Sequence, residues 1–186
     1  MERQEKTLAR VFSFDIRFTG TRKTLFYRKL FGYSSSTKRT KKDGTTKTYT
    51  HVARGLLGTI PHLKLGKSVI AVPKAAAPRL EEFFSNPRWQ PMELHSFDAI
   101  LHPELRERAM EEALFGYVIG RERVKINTEM DDIITTAGQR KLPPELAERA
   151  RRLLRVIEEF IAVDWTDRQE FSRRLEPYLI QLRKVI

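Results

Sequence analysis

VFSFDIRF, residues 11–18, alternates without a break: Phe12, Phe14, Ile16 and Phe18 fall on one face and Ser13, Asp15 and Arg17 on the other. A period of two with one apolar face predicts a half-buried β-strand, ended by Thr19-Gly20. From Thr21 to Phe31 the period lengthens: Leu25, Phe26, Lys29, Leu30 and Tyr33 take helical spacing, and Gly32 is placed to cap the end. Asp43-Gly44 then predicts a two-residue hairpin turn, because both of its positions need positive φ. In that register Lys42 faces Thr45, Thr40 faces Lys47, Lys38 faces Tyr49 and Tyr33 faces Arg54. One face would carry Lys38, Lys42, Lys47, Tyr49 and His51, and the other Arg39 and Lys41 among serines and threonines. Neither face is apolar enough to bury, so the ribbon is expected to project into solvent.

Downstream, Leu56-Leu57 reads as a buried turn, Ser68 to Val72 as a buried strand, and Pro78 to Phe84 as a short helix closed by Asn86-Pro87. Met92 to Leu101 reads as another strand, and Pro103 opens a helix running to about Val118. Residues 121–138 give no clear period. Pro143-Pro144 introduces a long helix with Leu146, Ala150, Leu153, Ile157 and Ile161 on one stripe. Thr166-Asp167-Arg168-Gln169 resembles a capping box for a last helix striped by Phe171, Leu175, Leu179 and Leu182, with Pro177 kinking it. The expected fold is α/β of the α+β kind. A small, mostly antiparallel sheet packs on helices over residues 1–138, and a helical hairpin follows over 143–186.

The chain has 186 residues and a formal net charge of +11. Arg17 to Lys67 holds 13 Lys and Arg against one acid, Asp43, so this segment alone carries +12 and the remainder −1. So local an excess costs stability by self-repulsion unless a polyanion is expected. Cysteine is absent, which excludes disulfides and thiolate metal sites. His51, His62, His95 and His102 have no metal-ligand spacing, and no metal or cofactor is expected. No apolar run could span a membrane and no h-region follows the N-terminus, so a cytoplasmic location is expected. Arg outnumbers Lys by 22 to 13, and Asn and Gln number only seven, a composition compatible with a thermophile.

Eight of the 18 aromatics fall between Phe12 and Tyr49, inside or beside the basic segment. Cations replace phosphate counterions, and flat rings give unpaired bases a surface to stack on. Phe12, Phe14 and Phe18 are accounted for by the strand's apolar face. Phe26, Tyr27, Phe31 and Tyr33 cannot all point inward, since consecutive helical residues diverge by about 100°. The candidate contacts with nucleic acid are Arg17, Arg22, Lys23, Phe26, Tyr27, Arg28, Lys29, Phe31, Tyr33, Lys38, Arg39, Lys41, Lys42, Lys47, Tyr49 and Arg54, two or three of the rings being equally suited to the core. Signatures of zinc-finger, helix-turn-helix, basic-zipper and sheet-type RNA modules are missing. Single-stranded DNA or RNA therefore fits best. Alternatives are a duplex-binding regulator with the hairpin as a wing, and a metal-dependent nuclease built on Glu129, Asp131 and Asp132. No phosphate-cradling glycine motif occurs, and no enzymatic activity is expected. The C-terminal helices suit either plain packing or self-association, and a homodimer or tetramer through them is expected.

The Phe12-Phe14-Ile16-Phe18 strand, the FYRKLFGY segment, the basic hairpin and the C-terminal helices together resemble the archaeal ThermoDBP-related single-stranded DNA-binding proteins. The resemblance covers the chain in outline and carries over no individual residue. It implies an α/β protein with a small sheet, a hydrophobic cleft flanked by positive charge, and helices that assemble dimers or tetramers. A C-terminal leucine zipper, which some members carry, would need longer heptads than Pro177 permits.

Overall fold

A computed structural model describes residues 7–40, 44–115, 118–119, 122–123, 126–139 and 141–186. Along the chain come β1 (Leu8–Ile16), α1 (Gly20–Phe31), β2 (Gly32–Thr40), β3 (Thr46–Arg54), β4 (Leu63–Gly66), β5 (Val69–Pro73) and α2 (Ala77–Ser85). They are followed by β6 (Met92–Ile100), α3 (Pro103–Phe115), β7 (Val118–Ile119), β8 (Glu122–Arg123), α4 (Ile126–Gln139), α5 (Pro144–Ala162) and α6 (Glu170–Val185). The fold is α+β.

The alternating stretch forms β1, an inner strand of an antiparallel sheet in the order β4-β5-β1-β6. Phe12 and Phe14 are buried on one face, as their spacing requires. Ala9 and Val11 are buried on the other, so β1 is covered on both sides and is not half-buried. The polar residues that suggested a solvent face, Ser13 and Asp15, lie towards its open end. Phe18 falls beyond the strand yet remains buried.

The sheet separates two apolar clusters, which makes three layers. On one face Phe12, Phe14, Ile70 and Val72 pack against Phe26 and Leu30 of α1, Leu80 and Phe84 of α2, and Trp89. On the other, Ala9, Val11 and Ala71 pack with apolar residues of α3, α4, α5 and α6. This second cluster crosses the expected boundary between residues 138 and 143. The stripes on α5 and α6 form as expected and are directed into it: Ala150, Leu153, Ile157, Phe171, Leu175 and Leu182 are buried.

Polar groups fix the helical layer to the sheet. Trp165 Nε1 donates to the Thr7 carbonyl at 3.1 Å. The buried Arg106 guanidinium donates to the carbonyls of Leu101 (3.1 Å) and Trp165 (2.7 Å) and to Asp167 (2.5 Å). The turn into α6 differs from the expected capping box. Asp164, two residues upstream of Thr166, accepts from the backbone and hydroxyl of Thr166 (3.0 and 2.7 Å) and of Ser172 (both 2.7 Å). Thr166 Oγ1 in turn accepts from Glu170 N at 2.8 Å. A carboxylate satisfies more donors here than a hydroxyl could, which is why the buried turn is built around it.

Most of the segment without a clear period forms α4, in which Asp131 and Asp132 sit mid-helix. Among the described residues no helix is long and apolar enough to cross a membrane.

Candidate nucleic-acid interface

The β2–β3 hairpin leaves the core at a joint made of two glycines. Gly32 ends α1 at φ 80°, in the left-handed region that favours glycine. A Cβ on Gly55 would lie 2.1 Å from Gly32 N and 2.5 Å from the Leu30 carbonyl. The two backbones can therefore touch, and β3 returns flush against the end of α1. Val52 and Ala53 are half-buried at this root, and the described residues from Ser34 to His51 are exposed. Nine paired positions at about 3.3 Å each make an arm roughly 30 Å long.

The hairpin is confirmed and its register is not. Thr40 pairs with Thr46, Lys38 with Thr48, Thr37 with Tyr49 and Gly32 with Arg54, one residue away from the pairing a two-residue turn would impose. A slip of one exchanges the faces of one strand relative to the other. Tyr33, Arg39, Lys47, Tyr49 and His51 consequently share a face, and Lys38 joins the threonines and serines on the other. There, Ser36 Oγ meets Thr50 Oγ1 at 3.4 Å and Thr40 Oγ1 meets Thr46 Oγ1 at 3.3 Å. The corrected register sets Tyr33 and Arg39 beside Lys47, Tyr49 and His51, where the expected one set Lys38 and Lys42.

Along the ring-bearing face the contacts alternate between charge and π-surface. The Arg28 guanidinium lies over the Tyr33 ring, 4.6 Å from its centroid, and Tyr33 meets His51 at 5.8 Å. Arg39 lies 6.0 Å over Tyr49, which is 54% exposed. At the end of α1, Tyr27 stacks on Phe31 (6.1 Å, 16° between planes), and Lys64 Nζ sits 4.1 Å over the Phe31 ring. Cations so placed hold the rings face-on and keep their own charge available to solvent.

The other candidates divide. Phe26 is fully buried against Phe14, Phe18, Phe83 and Trp89 and is a core residue, not a stacking surface. Arg22 donates to the carbonyls of Arg88 (2.7 Å) and Gln90 and lies over Phe18, so it fastens a loop to α1 with its Nε and Nη2. Arg17 pairs with Glu93 at 2.9 Å, and that bond, with one from His95, holds the exposed Glu93 carboxyl below its usual range. Lys23, Arg28, Lys29, Lys38, Arg39 and Lys47 are exposed, while Arg54 lays its aliphatic stem against Gly58. Lys41 and Lys42 lie outside the described residues. Lys64 and Lys67 are exposed cations that the candidate set omitted. Their membership of the +12 segment was the available signal. Among the described residues none of Lys23, Arg28, Lys29, Lys38, Arg39, Lys47, Lys64 and Lys67 forms an ion pair.

The acidic trio does not converge. Glu129 is buried and bound by the Arg149 guanidinium (Nη2–Oε2 2.8 Å), whereas Asp131 and Asp132 face outward. A cleft between α3, α4 and α6 is lined by Leu114, Ile126, Phe171 and Tyr178, with Glu111 and Arg174 as its charges, and carries no cationic surplus. No family model, curated protein or solved structure matches the chain.

Proposed function

We propose that the chain binds single-stranded nucleic acid, DNA or RNA, without marked sequence preference. The observation that carries this reading is the solvent-exposed arm whose ring-bearing face combines Tyr33, Tyr49 and His51 with Arg28, Arg39 and Lys47 and includes no carboxylate among its described residues. A phosphate backbone lying along the arm would displace counterions onto these cations, and splayed bases would stack on Tyr33, Tyr49 and the Tyr27–Phe31 pair. Lys23, Lys29, Lys38 and Lys64 would extend the electrostatic track on either side. No catalytic residue is assigned. The layout resemblance to the ThermoDBP-related proteins points the same way.

The arm also follows a helix, the order in which a wing follows a recognition helix. However, α1 turns Phe26 and Leu30 into the core, and its exposed side mixes aromatic with basic residues. That surface suits unpaired bases better than a groove.

The test is fluorescence anisotropy with a labelled oligo-dT of about 20 nucleotides, competed by duplex DNA and by oligo-U, over a series of salt concentrations. Engagement of about six phosphates gives a slope of log K against log[salt] near −0.7 × 6, roughly −4. Tyr33→Ala and Tyr49→Ala are expected to weaken binding by about 1–3 kcal/mol for each stacked base lost. Affinity indifferent to salt, or displacement by duplex in preference to single strands, overturns the reading.

A further inference from the structure

We infer that β6 is the interface between two copies of this chain, paired antiparallel about a two-fold axis through Phe97. The sheet has two edges, and they are built differently. The β4 edge is four residues long, contains Lys64 and is broken by a register shift at Gly66, the usual protections of a free edge. The β6 edge is nine residues, Met92–Ile100, pairs in the sheet with β1 alone, and has no proline, glycine or lysine to obstruct a further strand.

Its charges are already neutralised within the chain. Asp98 binds Arg10 (2.9 Å) and Lys74 (3.0 Å), and Glu93 binds Arg17. Its apolar side chains are not covered: Leu94 is 38% exposed, Phe97 55% and Ile100 81%. A long open edge with large exposed apolar residues is a liability in a monomer and an asset in an assembly.

The spacing selects both the partner and the register. Opposed residues in an antiparallel pair are either both hydrogen-bonded to each other or both not. Two identical strands can therefore meet only with the axis on a residue, never between two. With the axis on Phe97, which lies midway between Leu94 and Ile100, Phe97 faces Phe97 of the second copy. Leu94 then faces Ile100 of the second copy, Ile100 faces Leu94, and Asp98 faces Ser96. Every exposed apolar side chain of the strand finds an apolar counterpart. Moving the axis to Ser96 sets Leu94 against Asp98, and moving it to His95 sets Phe97 against Glu93. Phe97, opposite Val11, lies on the side of α3 to α6, while Leu94 and Ile100, opposite Phe14 and Leu8, lie on the other. A two-fold perpendicular to the sheet preserves both sides and continues it to eight strands. This interface is separate from α5 and α6, whose stripes serve the monomer's own core, and it does not depend on the nucleic-acid reading.

Sedimentation equilibrium of the full chain tests this, with the expected mass twice the 21.8 kDa of the monomer. Phe97→Lys should halve that mass and leave the far-UV circular dichroism unchanged. Ile180→Lys, on an exposed position of α6, should leave the dimer intact. The chain has no cysteine, so the register is read by oxidation of single-cysteine variants. Phe97→Cys, whose Cα atoms would stand about 4.5–5.5 Å apart across the axis, should give a covalent dimer, and Leu94→Cys should not. A monomeric wild type, a dimer indifferent to Phe97→Lys, or equal cross-linking by both cysteine variants would overturn the inference.

Discussion

His62 donates its Nδ1–H to the Ile60 carbonyl at 3.0 Å, just before β4. Burial is the main reason its pKa lies below the ordinary 6.5; the Lys64 charge adds to the lowering, and Glu112 and the Ile60 carbonyl oppose it. A histidine that resists protonation when folded takes up its proton more readily unfolded. Its stabilising contribution is therefore fully present above about pH 6.5 and is lost as the pH falls through that value towards the folded pKa. The unfolding free energy obtained from urea titration is expected to fall between pH 7.5 and 5.5, by no more than about 1.4 kcal/mol per pH unit, and His62→Gln should flatten the fall. An equal fall in the variant would assign the effect to other groups. The exposed Glu93 and Glu148, both lowered chiefly by hydrogen bonds from arginine, titrate at lower pH and do not confuse this window. At this scale the sequence distinguishes residue types but not their partners. Arg22 and Arg28 stand six apart on one basic helix, yet Arg22 is taken up by two backbone carbonyls of the loop before β6, residues 66 and 68 positions away, whereas Arg28 meets Tyr33 nearby. Only the second contact could have been read locally.

Among the elements, the arm depends on its joint. Because the Gly55 Cβ would meet the Gly32 backbone and not a yielding side chain, Gly55→Ala must move one strand or the end of α1. A cost of about 1–3 kcal/mol is expected in chemical denaturation, together with weaker oligonucleotide binding as the arm is re-seated. Gly66→Ala, whose added Cβ would make ordinary 3.7 Å contact with Val69, is the control and should be nearly neutral. Equal effects of the two would remove the joint from the account. The elements themselves were largely legible: apolar alternation marked β1, Gly32 marked the end of α1, and paired prolines marked the start of α5. The hairpin's register was not, because strands of serine, threonine and lysine offer no buried face to choose between neighbouring pairings. The Asp43-Gly44 signal alone then favours a pairing one residue away from the register in which Thr40 meets Thr46. Helix α4 was hidden for another reason. Its inward positions are Ile126, Glu129, Met130 and Ile133, and the carboxylate interrupts an apolar stripe that only Arg149, on the next helix, makes tolerable.

For the whole molecule, the question is whether the layers on the two sides of the sheet stand or fall together. The two tryptophans are placed to answer it: Trp89 lies in the cluster beneath α1 and α2, and Trp165 in the one beneath α3 to α6. The clusters are joined through β1, whose successive residues Val11 and Phe12 belong to opposite sides, and through β5, where Ala71 lies between Ile70 and Val72. Unfolding the helical layer would uncover Ala9, Val11 and Ala71 and release the Trp165 bond to Thr7, so the sheet should not survive it. In Trp165→Phe, the fluorescence of Trp89 is expected to follow the same urea transition as the helical circular dichroism, although most of the helix lies across the sheet from it. In Trp89→Phe, Trp165 should do likewise. Comparing two signals within each variant removes any stability change that the substitution itself introduces. Coincident curves mean that residues 1–138 and 143–186 unfold as one cooperative unit, despite a sequence whose charge divides so sharply at residue 67. Separated curves would mean that the helices form a unit of their own, docked on a sheet that can persist without them.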